Sequence, residues 1–375
     1  MPTLLSPPLV TTPLRSPARA SNFEFLRLLA MLLILILHAN FLTFRFPSSE
    51  VLHSQPLGAL GWIWSESLAI VGVNVFVLIS GYFGIRLRIK GIVNLLFQAT
   101  FYTVGIYLSL VMLGIEPFQS GELRSALMPL DRSKEWFLPT YLSLMIFAPL
   151  LNAFVQKQSE RGLRHYLIFF FVLSTLLGLL SDQLGVKDGY SLFSFAGIYL
   201  LGRYFRLHPE GVERYKTSTF VAVYLGLSFA QSLALFTYGY TSGQSIVASA
   251  LTYKFLSYAS PLNILTAVAL FLAFSRMKLQ SRAINWIASS TFAVYLIHCN
   301  GRLIGYYTGY IHGLSEHPVS VFLGMVAGFI LLVFAGSILI DKVRLLLWEW
   351  IFSPLYDRLR SSWEKRGWPL LRLPE

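Results

Sequence analysis

A chain of 375 residues that is 55% hydrophobic and only 13% charged, with a mean hydropathy of +0.60, has too few polar groups for a soluble globular protein and reads as a polytopic membrane protein. Its formal charge of +12 lies in short clusters between apolar runs, a topological pattern that argues against nucleic-acid binding. A single cysteine, Cys299, excludes an internal disulfide framework and a cysteine-based metal cluster, and with no metal-ligand cluster at helical spacing no metal is expected.

Residues 1–21 hold five prolines, two arginines and no acid, and lack a compact signal sequence with a cleavage site. They read as a disordered cytoplasmic tail. Apolar runs of spanning length follow at 23–43, 61–85, 92–114, 137–155, 166–181, 190–205, 218–239, 246–274, 284–306 and 319–340. The expected fold is therefore all-α, a transmembrane helical bundle of about ten spans over residues 22–344. The eighth run is interrupted by Ser260-Pro261, which kinks a helix or splits it in two. After Arg344, the segment 345–375 opens Leu-Leu-Leu-Trp348-Glu-Trp350-Ile-Phe and suits an amphipathic interfacial helix on the cytoplasmic side.

Charge sets the direction. With a cytoplasmic N-terminus, 23 of the 30 lysines and arginines fall on inner segments. Only Arg45, Arg124, Arg132, Lys134, Lys187 and Lys254 fall outside, and Arg302 lies within the ninth run. The alternation predicts both termini in the cytoplasm. Gly-x-x-x-Gly spacing at Gly301, Gly305 and Gly309, and at Gly324 and Gly328, predicts close packing of the last two spans. No tandem repeat and no phosphate-binding glycine loop is present.

The first span is the most informative. It carries Glu24, Arg27 and His38, and ionisable groups in hydrocarbon are costly enough to be functional candidates. Arg27 and His38, eleven residues apart, emerge on one helix face. At 1.5 Å per residue they are about 16 Å apart along the axis. A neutral imidazole can take a proton from a hydroxyl attacking an activated carbonyl, and a guanidinium at the inner boundary suits a phosphate-bearing cytosolic ligand. The plainer alternatives are an interhelical hydrogen bond for His38 and a positive-inside anchor for Arg27. Glu24 lies three residues before Arg27, in reach of an ion pair that orients it.

Other polar groups are weaker candidates for substrate binding. Asn40 projects to a different face from His38, and Asn74 and Ser80 are buried polar groups beside glycines. Arg86, Arg88 and Lys90 form a basic cluster suited to phosphates or to anchoring. Glu135-Trp136 opens the fourth span on the outer side, and His298 and Arg302 share a helix face at i, i+4. His312 and His317, with Glu316, are too few and too exposed for a metal.

Glu24-Phe-Leu-Arg27, the ten-residue spacer and His38 resemble the Arg-x10-His signature of the integral-membrane acyltransferase family three. Gly72-Val-Asn74-Val-Phe76-Val-Leu-Ile-Ser80-Gly81-Tyr82-Phe83 resembles its second-helix motif. Trp136-Phe-Leu, Leu144 and Ala148-Pro149-Leu-Leu-Asn152 resemble its fourth helix, and Thr291-Phe-Ala-Val-Tyr295-Leu-Ile-His298 its late Tyr-Leu-Ile-His segment. The matches keep their order over nearly the whole chain. The resemblance implies a multi-pass enzyme of the bacterial inner membrane that moves an acyl group, often acetyl from acetyl-CoA, to a hydroxyl of a surface or exported polysaccharide. His38 matches the expected catalytic base or transient acyl carrier, and Arg27 the arginine that supports donor binding or site architecture. The Arg86/Arg88/Lys90 cluster departs from the family's arginine-rich pattern, and the Glu135-Trp136 region lacks its longer Ser- and Glu-rich motif. The expected partners are acyl-CoA as donor, with no permanently bound cofactor, a glycan or lipid-linked glycan acceptor, membrane lipids and a second copy in a homodimer. The rival class is a transporter or flippase of a glycan or lipid-linked substrate, against which stands the lack of an internal repeat.

Overall fold

The computed structural model describes residues 20–131, 136–180, 186–242 and 254–365. Most of the expected N-terminal tail, Arg132, Lys134, Glu135, the start of the run at 246–274 and residues 366–375 lie outside the described residues. Every regular element among the described residues is helical.

The helices that build the bundle are α1 (Ser21–Leu37), α2 (Pro56–Ala69), α3 (Gly72–Phe83), α4 (Ile89–Met112), α5 (Phe137–Gln156), α6 (Glu160–Leu180) and α7 (Leu192–Leu207). They continue with α8 (Thr217–Ser242), α9 (Pro261–Ser275), α10 (Arg282–Ala288), α11 (Thr291–His298), α12 (Ile304–Gly313), α13 (Val319–Leu347) and α14 (Ser353–Lys365). Among the described residues six helical stretches are long and apolar enough to cross a membrane: Ser21–Leu42, Pro56–Phe83, Ile89–Met112, Phe137–Gln156, Thr217–Ser242 and Val319–Ser362. Large apolar side chains such as Leu323, Leu331, Leu332 and Leu339 stay exposed along α13, as on a lipid-facing helix.

The predicted interruption at Ser260-Pro261 is present as a helix start. Pro261 opens α9 at its first turn, where a missing N–H costs nothing. The run at 61–85 is also divided, by a turn at Ile70–Val71 that joins α2 to α3.

Helix contact in an apolar solvent depends on close backbone approach, because burial of apolar surface gives little driving force there. The tight approaches lie at α3. A Cβ added at Gly81 would stand 2.1 Å from the Tyr199 carbonyl oxygen of α7, and one at Gly202 would stand 2.4 Å from the Leu78 carbonyl oxygen. At the other end of α3, a Cβ on Gly72 would stand 2.8 Å from the Ala30 carbonyl oxygen of α1. The expected glycine contact of the last two spans is not made at Gly305, Gly309, Gly324 or Gly328, where a Cβ would meet nothing within 4 Å. Spacing marks which glycines share a face; the neighbour that uses the face is set by the fold.

The tail also differs from expectation. Helix α13 runs through Arg344, which is buried and ion-paired to Asp341 at 2.6 Å. Tyr102 and Gln98 of α4 also donate to Asp341, at 2.7 and 3.3 Å. A π-helical turn at Trp348–Phe352 then leads into α14. Trp350 is exposed, as an interfacial residue requires, while Trp348 turns inward to pack on Phe97 with ring centroids 5.3 Å apart.

Candidate active site

The α-helical path of α1 holds to Leu37 and widens at His38 into a π-helical turn, His38–Leu42. Such widened turns recur at functional sites because they re-aim side chains. Up to that point the spacing argument applies: Met31, Ile34 and His38, which continue the face of Arg27, all line one cavity of about 490 Å³. The cavity ends one helical turn short of Arg27. The Tyr307 hydroxyl donates to the Leu35 carbonyl at 2.9 Å and braces α1 just before the widened turn.

Behind His38 stands His298, at the end of α11. Its Nδ1 lies 2.6 Å from the Val294 carbonyl oxygen, and its Nε2 lies 3.0 Å from Nδ1 of His38. A carbonyl only accepts, so Nδ1 of His298 carries the proton and Nε2 of the neutral ring is an acceptor. Nδ1 of His38 then donates to it, which leaves Nε2 of His38 as that ring's acceptor. A chain of two hydrogen bonds thus selects the tautomer of His38 in which Nε2 is the basic nitrogen. Cys299 Sγ completes the cluster, 3.4 Å from Nδ1 of His38 and 3.3 Å from Nε2 of His298.

At the Arg27 end the structure gathers cations. Arg27 pairs with Glu24 at 2.6 Å, as the i, i+3 spacing predicts, and its guanidinium lies 6.0 Å from the centroid of the Phe83 ring. Arg206 lies over Tyr82, and a Cβ on Gly84 would meet the Arg203 guanidinium at 2.8 Å. Gly84 ends α3 at φ +73° and turns the chain into an extended segment that presents Arg86 and Arg88 to solvent. Asn152 donates to the Ile85 carbonyl at 3.0 Å, and Tyr199 accepts from the Ile85 N–H at 2.9 Å, so the residue before Arg86 is held from two sides. Lys90 does not join this group. It is paired with Asp357 of α14 at 2.8 Å.

The opposite end of the cavity is aromatic. Trp136 packs on Tyr190 and Tyr258 with ring centroids 4.4 and 5.7 Å away, and all three line the cavity together with Asp188. Lys254 holds Asp188 at 3.0 Å.

A comparison with family models matches acyltransferase family 3, an acyltransferase domain, over residues 21–341. The chain belongs to acyltransferase family 3. No curated protein and no solved structure matches it. Membership favours an acyltransferase over the transporter class. The matched span begins at the first turn of α1 and ends at Asp341, so it contains both histidines, the cavity and the basic end.

Within this family 3 domain several expected site residues are placed elsewhere. Asn40 donates to Ser65 Oγ at 2.6 Å, and the buried Asn74 amide donates to the Tyr258 carbonyl at 3.0 Å. Neither is among the residues lining the cavity. Arg302 does not share a helix face with His298, because α11 stops at His298 and the chain turns through Asn300. The Asn300 side chain accepts the Arg302 N–H at 3.0 Å and its carbonyl accepts from Leu303 and Ile304, which restarts the helix on a new axis. Arg302 is instead ion-paired to Glu116 and Glu122 and lies over the Tyr107 ring.

Sequence reasoning missed Glu66, Cys299, Tyr190, Asp188 and the two arginines of α7 as members of these groups. Glu66 carried a readable signal, a carboxylate inside a spanning run. The others did not, since their relevance comes from distant partners. The donor set of His38, His298 and Cys299, with its ligand atoms within 4.8 Å of one another, also differs from the expectation that no metal-ligand group exists. Two imidazoles and a thiol suit a soft divalent cation such as zinc, although the direct imidazole–imidazole hydrogen bond accounts for their contact without one.

Proposed function

We propose that this family 3 member is an acyl-CoA-dependent O-acyltransferase of the bacterial inner membrane. It moves an acyl group, acetyl as the simplest case, to a hydroxyl of a cell-surface or exported glycan, free or lipid-linked. The accompanying topology has ten crossings and both termini in the cytoplasm, supported by the sorting of 23 of 30 basic residues to inner segments. Arg27, Arg86 and Arg88, with Arg203 and Arg206 beside them, take the phosphates of the coenzyme. The pantetheine arm follows the Met31–Ile34–His38 face into the cavity. The glycan approaches through the Trp136, Tyr190 and Tyr258 end, where aromatic faces suit sugar rings. Lys90 serves the α14 contact instead.

The observation that carries the reading is the His298–His38 hydrogen bond at 3.0 Å, at the wall of a cavity that starts one turn from Arg27. Nε2 of His38 takes the hydroxyl proton as the oxygen attacks the thioester carbonyl. The tetrahedral intermediate collapses, the C–S bond breaks, and the leaving CoA thiolate recovers the proton from the imidazolium.

Purified protein given labelled acetyl-CoA and an acceptor glycan in detergent should label the glycan. His38→Ala should lower that rate by about 10²–10⁴-fold, the usual worth of a positioned base. Near-normal labelling by the variant would overturn the reading. Activity that survives strong chelation fits a base; loss on chelation and recovery with zinc would reassign His38 as a metal ligand.

A further inference from the structure

Glu66 of α2 is only 3% exposed and lines the same cavity as His38. Its Oε2 has no hydrogen-bond partner among the described residues, and no cation pairs with its carboxyl there. Its polar neighbour is Asn40, two residues past His38 on the widened turn. The other carboxylate on the cavity wall, Asp188, is already engaged by Lys254. A buried carboxyl oxygen left without a partner is costly and calls for an explanation, and on a cavity wall a ligand that supplies the missing partner is one. Rotation about the last side-chain torsion is nearly two-fold, so either oxygen can be presented to the cavity.

The hydrogen-bond chain through His298 makes Nε2 of His38 a second acceptor on this wall. Two acceptors facing one cavity fit a ligand with two neighbouring donors, and a sugar carrying adjacent hydroxyls has them. We propose that Glu66 is an acceptor-binding residue: it receives a hydrogen bond from the hydroxyl next to the one that His38 deprotonates, and so selects polyol acceptors over simple alcohols. The assignment rests on the transfer reading above. Glu66 touches the acceptor and leaves the donor alone, because the coenzyme's phosphates are held at the Arg27 end.

The test uses the full-length protein in detergent with acetyl-CoA and two acceptors, trans-1,2-cyclohexanediol and cyclohexanol. Wild type should prefer the diol by about ten-fold or more in kcat/KM per hydroxyl, since a site built to accept a hydrogen bond discriminates against an analogue lacking the donor. Glu66→Leu, close in volume and apolar, should bring the two acceptors to parity. Glu66→Gln, whose amide oxygen still accepts, should keep a preference. A purely structural Glu66 would change both acceptors alike and leave the ratio untouched. The proposal fails if wild type shows no preference, if it does not acylate the diol, or if Glu66→Leu keeps the wild-type ratio. His38-dependent labelling of the glycan, measured on the same preparation, tells that failure apart from failure of the transfer reading.

Discussion

In the proposed mechanism His298 supports catalysis without touching the reacting atoms. It holds the ring of His38 by Nδ1, and its own Nδ1 is fixed on the Val294 carbonyl one helical turn back. Removing it frees His38 to adopt the other tautomer and to rotate, so His298→Ala should lower kcat by about 10²-fold while the KM for acetyl-CoA stays within two-fold. A fall in kcat matched by a rise in donor KM would assign His298 to binding instead. Arg27→Ala should act the other way, raising donor KM by about ten-fold or more through loss of a charge-assisted phosphate contact. This is also the scale at which the sequence was most and least readable. Arg27, Met31, Ile34 and His38 share a face because helical geometry is local, and eleven residues of α-helix suffice to compute it. The partner of His38 lies 260 residues away, so no spacing rule could supply it. The predicted face shared by His298 and Arg302 failed for the reverse reason: an asparagine in between offers the backbone a better local hydrogen bond than the helix does.

At the scale of elements, two structural devices set where the site's walls stand. The first is the crossing of α3 and α7. Gly81→Ala or Gly202→Ala places a methyl on a backbone oxygen that has no room to retreat, so each should cost about 1–3 kcal/mol and lower the melting temperature in detergent. Gly305→Ala and Gly324→Ala face open space and should stay within about 0.5 kcal/mol of wild type. If all four variants melt alike, the crossing is not the tight one. The second device is the buried polar knot of α4 and α13, where Asp341 accepts from Tyr102, Gln98 and Arg344. Asp341→Ala leaves the Arg344 charge buried alone and should destabilise by about 3–5 kcal/mol, whereas replacing both residues with apolar ones of similar volume should cost far less. Helical character was legible along the described residues, since runs of apolar residues report themselves, whereas six stretches there are long and apolar enough to span and the run at 284–306 is divided among α10, α11 and α12. Which glycine meets which helix was not, because the Gly-x-x-x-Gly pattern names a face and leaves its neighbour open.

For the molecule as a whole, direction is the remaining question, and charge is what sets it. Basic residues near a helix end resist translocation, so the proposed ten-span path, which sorts lysines and arginines 23 to 6 between alternate segments, carries one favoured orientation. The proposed orientation turns the Arg27, Arg86 and Arg88 end to the cytoplasm, the side from which the proposed acyl-CoA donor arrives, and the Trp136, Tyr190 and Asp188 end to the far side. The proposed site then reaches half-way through the bilayer: about 16 Å of α1 separates Arg27 from His38, roughly half of a 30 Å hydrocarbon core. Two exposed serines test this by accessibility to label alone, with no assay of transfer. Ser159 lies between α5 and α6, on an expected inner segment, and Ser315 lies between α12 and α13, on an expected outer one. With Cys299 replaced by alanine to remove the single native thiol, Ser315→Cys should react with a membrane-impermeant maleimide in intact spheroplasts. Ser159→Cys should react only after permeabilisation or in inverted vesicles. The opposite pattern would turn the site round and place the arginines away from the coenzyme. Labelling of both from one side would change the number of crossings between them from odd to even and remove the ten-span topology.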